Sequence, residues 1–209
     1  WVLESFAAVQ NTSLEKLCFP GEPYGPSQLC KRLEVVPVKD MRVVEICWPL
    51  PPVQDLYRAK PTRYLSHLLG HEAGGSVLSL LKARGWANEL SAGLSRSLSD
   101  WSSFNVSVEL TPEGLEHPDE VVLCVFQYIA LLREKGPQEW IWAESRDIAA
   151  ANFRFRSQSQ PMGYVSSLAG NVHSFAAEHI VSGASLIFDY DASAITDLLA
   201  KLVPENMVV

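Results

Sequence analysis

His67 and His71 stand four residues apart in the run Ser66-His67-Leu68-Leu69-Gly70-His71-Glu72. On a helix, side chains at i and i+4 share a face, so two imidazoles at this spacing can hold one zinc ion. Hydrolysis by a zinc-bound water needs more: a third ligand, an open coordination position and a base to take the water's proton. Where a His-x-x-Glu-His motif does this chemistry, the base directly precedes the second histidine. That place here is Gly70, which has no side chain. Glu72 follows His71 in sequence but points about 100° further round a helix, so it is a weak substitute. The favoured reading is that His67 and His71 are ordinary helix residues making surface or core hydrogen bonds. A metal site without catalysis, with Glu144 as third ligand, is the second reading, and a working hydrolytic site the least favoured. The chain is therefore expected to carry no catalytic residue and no metal or cofactor of its own.

Other chemistry has less support. There is no Gly-x-Ser-x-Gly nucleophile turn and no Cys-x-x-Cys pair. Cys47 and Cys124 lie in apolar runs and read as buried thiols, while Cys18 and Cys30 are a candidate pair. His117, His173 and His179 are isolated and read as caps or surface residues. Asn11-Thr12-Ser13 and Asn105-Val106-Ser107 fit the glycosylation triplet, without secretory context. The formal net charge is −7, and Lys31-Arg32 with Lys82 and Arg84 make no basic face, which argues against nucleic acid. No apolar run reaches the roughly 18 residues of a membrane span. A cytoplasmic location is expected. The start, Trp1 to Phe6, reads as the middle of a helix rather than a signal peptide, and Asn206 to Val209 stops as a strand begins. Both ends read as those of a fragment, and an exposed strand edge would invite dimerisation by strand addition.

The elements that must carry these residues follow from spacing. Residues 1–32 read as a residual helix and a Pro/Gly/Ser-rich linker, and 33–209 as a single domain. Leu33 to Pro49 reads as strand, broken at Lys39-Asp40, with both faces largely apolar and hence a central position in its sheet. Pro61 can open a helix carrying Tyr64, Leu65, Leu68 and Leu69, and Ser76 can cap a second from Val77 to Arg84. Trp86 to Gly93 reads as strand and turn, Leu94 to Ser103 as loop, and Phe104 to Leu110 as a strand with clean alternation. Thr111-Pro112-Glu113 reads as a helix start, and Val121 to Leu132 carries the helical period. Trp140, Ile141, Glu144, Ile148 and Ala151 are expected on the inner side of the following helix. Further helices are expected from Pro161 to about Gly170 and after Asp191. The order predicts an α+β fold: a two-layer domain with an antiparallel or mixed sheet packed on helices.

The run Tyr64-Leu65-Ser66-His67-Leu68-Leu69-Gly70-His71-Glu72-Ala73-Gly74-Gly75-Ser76-Val77-Leu78-Ser79 resembles the second domain of the insulin-degrading-enzyme and nardilysin type of M16 metallopeptidase. The likeness continues through Gly85-Trp86-Ala87, Leu110-Thr111-Pro112-Glu113-Gly114, Gly136-Pro137-Gln138-Glu139-Trp140, Asn152-Phe153-Arg154-Phe155 and Leu202-Val203-Pro204-Glu205-Asn206. It covers nearly the whole chain, most firmly from Leu33 on. The resemblance implies a LuxS/mitochondrial-processing-peptidase-like metallohydrolase fold, with zinc held in the first domain of a longer parent. It implies that His67, Gly70, His71 and Glu144 are a degenerate copy of the metal motif. It also implies a non-catalytic exosite at Leu90, Ser91, Ala92 and Gly93, where a peptide's N-terminal end adds as an edge strand, and sister domains as packing partners. Where the family carries paired glycines this chain has Ala92, whose methyl, with the bulkier Leu94 to Asp100 stretch, is expected to narrow the groove. The alternative is a non-enzymatic peptide-binding or chaperone-like domain from an inactive relative.

Overall fold

Three strands pair antiparallel in the order β1-β3-β2: β1 (Val43–Leu50), β2 (Ala87–Ser97) and β3 (Ser102–Leu110). The structure, a computed structural model, describes all residues except Lys16, Cys18, Pro20 and Glu22. The proposed Cys18–Cys30 pair therefore lies outside the described residues; among the described residues Cys30, Cys47 and Cys124 form no disulfide with one another. Cross-strand partners share a face of a sheet. Val44, Ile46, Trp48 and Leu50 of β1, Phe104, Val106 and Val108 of β3, and Leu90 of β2 are all buried on one face. The other face carries Glu45, Cys47, Ser91, Asn105 and Ser107.

The buried face is covered by helices α2 (Pro61–Leu69), α3 (Val77–Ala83), α4 (Pro118–Lys135), α5 (Glu139–Arg154) and α7 (Ala192–Lys201). Ile195, Leu198, Leu199 and Leu202 join the same core as the strand residues, so the chain's last third completes a packing begun by its first. Trp48 is fully buried, and its indole N–H donates to the Val203 carbonyl at 3.2 Å. Burial of a large apolar side chain of this kind contributes about 3 kcal/mol. A short exposed helix α1 (Val2–Phe6) and the exposed helix α6 (Pro161–Asn171) bury no residue. Among the described residues, no helix is long and apolar enough to cross a membrane.

Several expectations are corrected. The strand begins at Val43, not Leu33; Val35, Val36 and Val38 are exposed, because no strand lies beside them. β1 is not central. Its other edge meets the C-terminal residues: Cys47 and Val208 exchange N–H···O bonds at 2.8 and 2.9 Å, and the Leu33 N–H donates to the Val209 carbonyl at 2.7 Å. The C-terminal residues thus cover the outer edge of β1. The serine-rich stretch expected as loop is mostly strand: β2 continues to Ser97, and only Leu98 to Trp101 turn. The serines fit one by one: Ser97 is exposed, Ser95 pairs with the buried Ser103 at 2.6 Å, and the buried Ser102 hydroxyl accepts from the Val53 N–H at 3.3 Å.

The other displaced elements are helical. Thr111 caps as expected, but its hydroxyl accepts from the Gly114 N–H at 2.9 Å and so closes a 3₁₀ turn, Gly114–Glu116, with α4 starting only at Pro118. The inner face of α5 is Ile141, Trp142, Ser145 and Ala149, while Trp140, Glu144 and Ile148 point outward. The apolar Trp140 set the expected phase one residue early.

Candidate functional site

The histidine pair and the candidate exosite meet where α2 crosses β2. Pro61 starts α2, since its missing N–H costs nothing in a first turn. The helix stops at Leu69, with Gly70 as C-cap at φ −87° and ψ 9°. His71 is therefore beyond the helix, and the i, i+4 geometry assumed for the pair is not formed. The rings of His67 and His71 still lie close, with centroids 5.8 Å apart and planes tilted by 45°. Glu144 does not join them; it is exposed on the outer face of α5. Among the described residues no group of three histidine, cysteine or acidic side chains is placed to hold a metal ion.

Gly70 has a local cause. A Cβ built on it would meet the Ser66 carbonyl oxygen at 2.9 Å and the Ala92 nitrogen at 3.5 Å. The tight contact lies within α2 itself, to the carbonyl four residues back, while the strand nitrogen stands at ordinary van der Waals distance, so a side chain at this position requires the last turn of α2 to shift. The built Cβ of Gly93 stands 3.4 Å from the Ser66 hydroxyl, an ordinary contact.

β2 has β3 on one side and, among the described residues, no strand on the other. Leu90 and Ala92 pair with Val108 and Val106 and so face the helices, whereas Ser91 and Gly93 pair with Ser107 and Asn105 on the open face. The Ala92 methyl is directed toward Gly70, 3.8 Å from where that residue's Cβ would stand, and not into the open groove. The Leu94 to Ser97 stretch does not crowd the strand either; it extends it. On the open face a shallow depression of about 310 Å³ is floored by Glu45, Ser91, Gly93, Ser95, Asn105 and Ser107. Three of its polar residues pair with one another: the Asn105 amide donates to Glu45, and the Ser95 hydroxyl donates to the Asn105 oxygen at 2.8 Å. Beside it, burial pushes the Cys47 thiol up despite its contact with the Tyr24 hydroxyl. What this arrangement offers a ligand is backbone: an exposed row of N–H and C=O groups with small side chains around it.

The Peptidase M16 inactive domain model matches residues 1–148. The chain belongs to the M16 peptidase family. A second model, the middle or third domain of peptidase M16, matches residues 153–209, and the two meet near the end of α5. The chain is 38% identical to human insulin-degrading enzyme over 100% of its own length and 20% of that protein's. It is 36% identical to human nardilysin, over 99% of the chain and 18% of nardilysin. It is also 37% identical to the A-factor-processing enzyme of Saccharomyces cerevisiae, over 99% and 20%. The chain thus spans about a fifth of these relatives. Among solved structures, pitrilysin superposes with a TM-score of 0.93 at 25% identity, over 99% of this chain and 22% of that one. The M16 inactive domain from Pseudomonas fluorescens shares the fold, with a TM-score of 0.60 at 14% identity over 93% and 45%. This M16 chain is accordingly a non-catalytic peptidase domain.

Sequence reasoning missed one feature near the site. Lys60 and Arg63, at the start of α2, line a cavity of about 500 Å³ with Tyr57, Asn171 and Phe175. Lys60 adopts a left-handed backbone, φ 45°, and burial, with Arg63 adding its charge, pushes its ammonium down to about 8. The only sequence signal was Lys60-Pro61 itself; the opposite wall, Asn171, Ser174, Phe175 and Ala184, comes from residues more than a hundred positions away.

Proposed function

We propose that this domain holds peptide substrates for a zinc metalloendopeptidase whose catalytic zinc lies in another domain of a longer chain. Residues 33–209 act as one unit, supported by the single core shared from β1 to α7. An extended peptide adds to the free edge of β2 at Leu90, Ser91, Ala92 and Gly93, and sister domains pack on the exposed helices. The observation that carries this reading is the asymmetry of the sheet edges: the C-terminal residues pair with β1, while the second edge of β2 has no strand beside it among the described residues. Main-chain hydrogen bonds supply affinity in such strand addition, and small side chains let the backbones approach. The test is titration of an unstructured peptide into the chain, followed by amide NMR. Shifts should centre on Leu90 to Gly93, and N-methylation of alternate peptide amides should weaken binding at least tenfold, the loss of one or two hydrogen bonds of about 1 kcal/mol each. Binding that ignores N-methylation would remove the strand-addition reading.

A further inference from the structure

The cavity beside α2 opens between the N-terminus of that helix, the Asn171–Phe175 end of α6 and the far end of β2, where Leu94 and Ser97 form its wall. Its lining includes Lys60 and Arg63 and no aspartate or glutamate. Lys60 donates to the Gly183 carbonyl, and Arg63 donates from Nη1 to the Ser185 carbonyl at 3.2 Å. These are neutral acceptors. An ammonium has three donors and a guanidinium five, so most of their capacity is unspent, and neither cation meets a carboxylate among the described residues. Thr62, only 7% exposed, also lines the wall, and its hydroxyl makes no hydrogen bond among the described residues. The N-terminal end of the nine-residue α2 points its positive dipole into the same space. Tyr57 and Phe175, in edge contact at 5.0 Å, add an apolar wall suited to methylene groups.

We propose that this cavity is a carboxylate subsite, which takes the side chain of an aspartate or glutamate in a peptide lying along β2. The assignment rests on the strand-addition reading and gives it a substrate class: segments with an acid at a fixed distance from the residue paired with Ala92. At about 3.4 Å per residue, a strand running from Ala92 to Ser97 travels about 17 Å, so a paired peptide passes the cavity mouth a few residues along. The preference is local and opposes the chain's overall field, since the formal net charge is −7 and would repel an acidic peptide. Burial first, and the neighbouring Arg63 charge second, depress the Lys60 ammonium, as fits a cation held in a cavity without a counter-ion. Other titratable groups nearby are Tyr57, bonded to His179 at 3.0 Å, and the Arg58–Asp189 pair beyond it.

The experiment compares two labelled peptides by fluorescence anisotropy, identical except for Glu or Gln at one position that is walked along the sequence. At one register the Glu peptide should bind the chain about tenfold more tightly, the size of a charge-assisted hydrogen bond. That ratio should fall toward one as pH rises above about 8 and in Lys60→Gln. Because Lys60 also holds the Gly183 carbonyl, a thermal melt checks the fold of that variant. Ser97→Glu, at an exposed position of β2, is the second variant: it brings its own carboxylate to the mouth and should abolish the Glu preference. Equal binding of both peptides at every register, or a Glu preference that survives both substitutions, overturns the subsite while leaving strand addition standing. Failure of either peptide to bind is a different result, and overturns strand addition together with the subsite.

Discussion

Replacing Gly70 with alanine adds one Cβ that, on this backbone, comes within 2.9 Å of the Ser66 carbonyl oxygen and 3.5 Å of the Ala92 nitrogen. The φ of −87° is open to any residue, so no backbone strain opposes the change. Loss of glycine's freedom in the unfolded chain would by itself stabilise by about 0.5–1 kcal/mol. Overpacking costs about 1–3 kcal/mol, and here the tight contact is the Ser66 carbonyl, a backbone atom that cannot turn away, while the Ala92 nitrogen is at ordinary distance, so the middle to upper part of that range applies. The expected net loss is about 1–2 kcal/mol, or about 3–6 °C in Tm for a domain of this size. Urea denaturation of both proteins measures it. Gly70→Glu carries the same Cβ and should lose at least as much, with no zinc-dependent cleavage of a quenched peptide gained. If Gly70→Ala proved as stable as the parent chain, the argument that packing keeps the base position empty would fail.

Three further outcomes are expected. Calorimetric zinc titration should show no micromolar site, and His71→Ala should leave the trace unchanged, because among the described residues no third ligand joins the two histidines; micromolar binding lost in that variant would restore the metal reading. Ser145→Ala should be neutral or stabilising by about 1 kcal/mol, since the Ser145 hydroxyl is buried without a partner, as is the Trp142 indole N–H one turn earlier; a large loss in the urea midpoint would mean the hydroxyl has a bound partner. Lys60 gives a pH dependence of stability. Its folded value of about 8 lies below the 10.5 of an ordinary lysine, so between them the unfolded chain binds more protons, and stability should rise with pH from about 8 toward 10. Tyr64 and Tyr128, raised by burial, oppose this only near and above their ordinary value of 10.0. Denaturant midpoints for Lys60→Met should show that slope flattened.

The elements with strong local rules were legible. Ser76 accepts from the Ser79 N–H at 3.1 Å and Asp191 from the Ala194 N–H at 2.9 Å, as their positions before apolar helical runs suggested. The alternation from Phe104 to Leu110 gave a strand because one of its faces is wholly buried. What failed had non-local causes. Val35, Val36 and Val38 have strand-forming side chains but no strand beside them. The order of β1 and β3 depends on which strand the hairpin and the C-terminal residues leave in the middle, and neither is encoded in β1 itself. Glu144 and Trp140 lie outward where the helical period places them inward, because a phase shift of one residue on a helix turns a side chain by about 100°. At the candidate site, the absence of a base at Gly70 was plain from the residue type, but the crowding of its Cβ position by the Ser66 carbonyl needed the three-dimensional contact. The Lys60 cavity was invisible for the same reason.

Amide hydrogen exchange on the chain, with and without a saturating extended peptide, with mass spectrometry of the peptide in the same tube, tests the peptide-holding, non-catalytic role most directly. New protection should appear along β2 between Leu90 and Gly93, and the peptide should remain intact with zinc present. Protection elsewhere with β2 unchanged, or a peptide cut in a zinc-dependent way, would contradict the account.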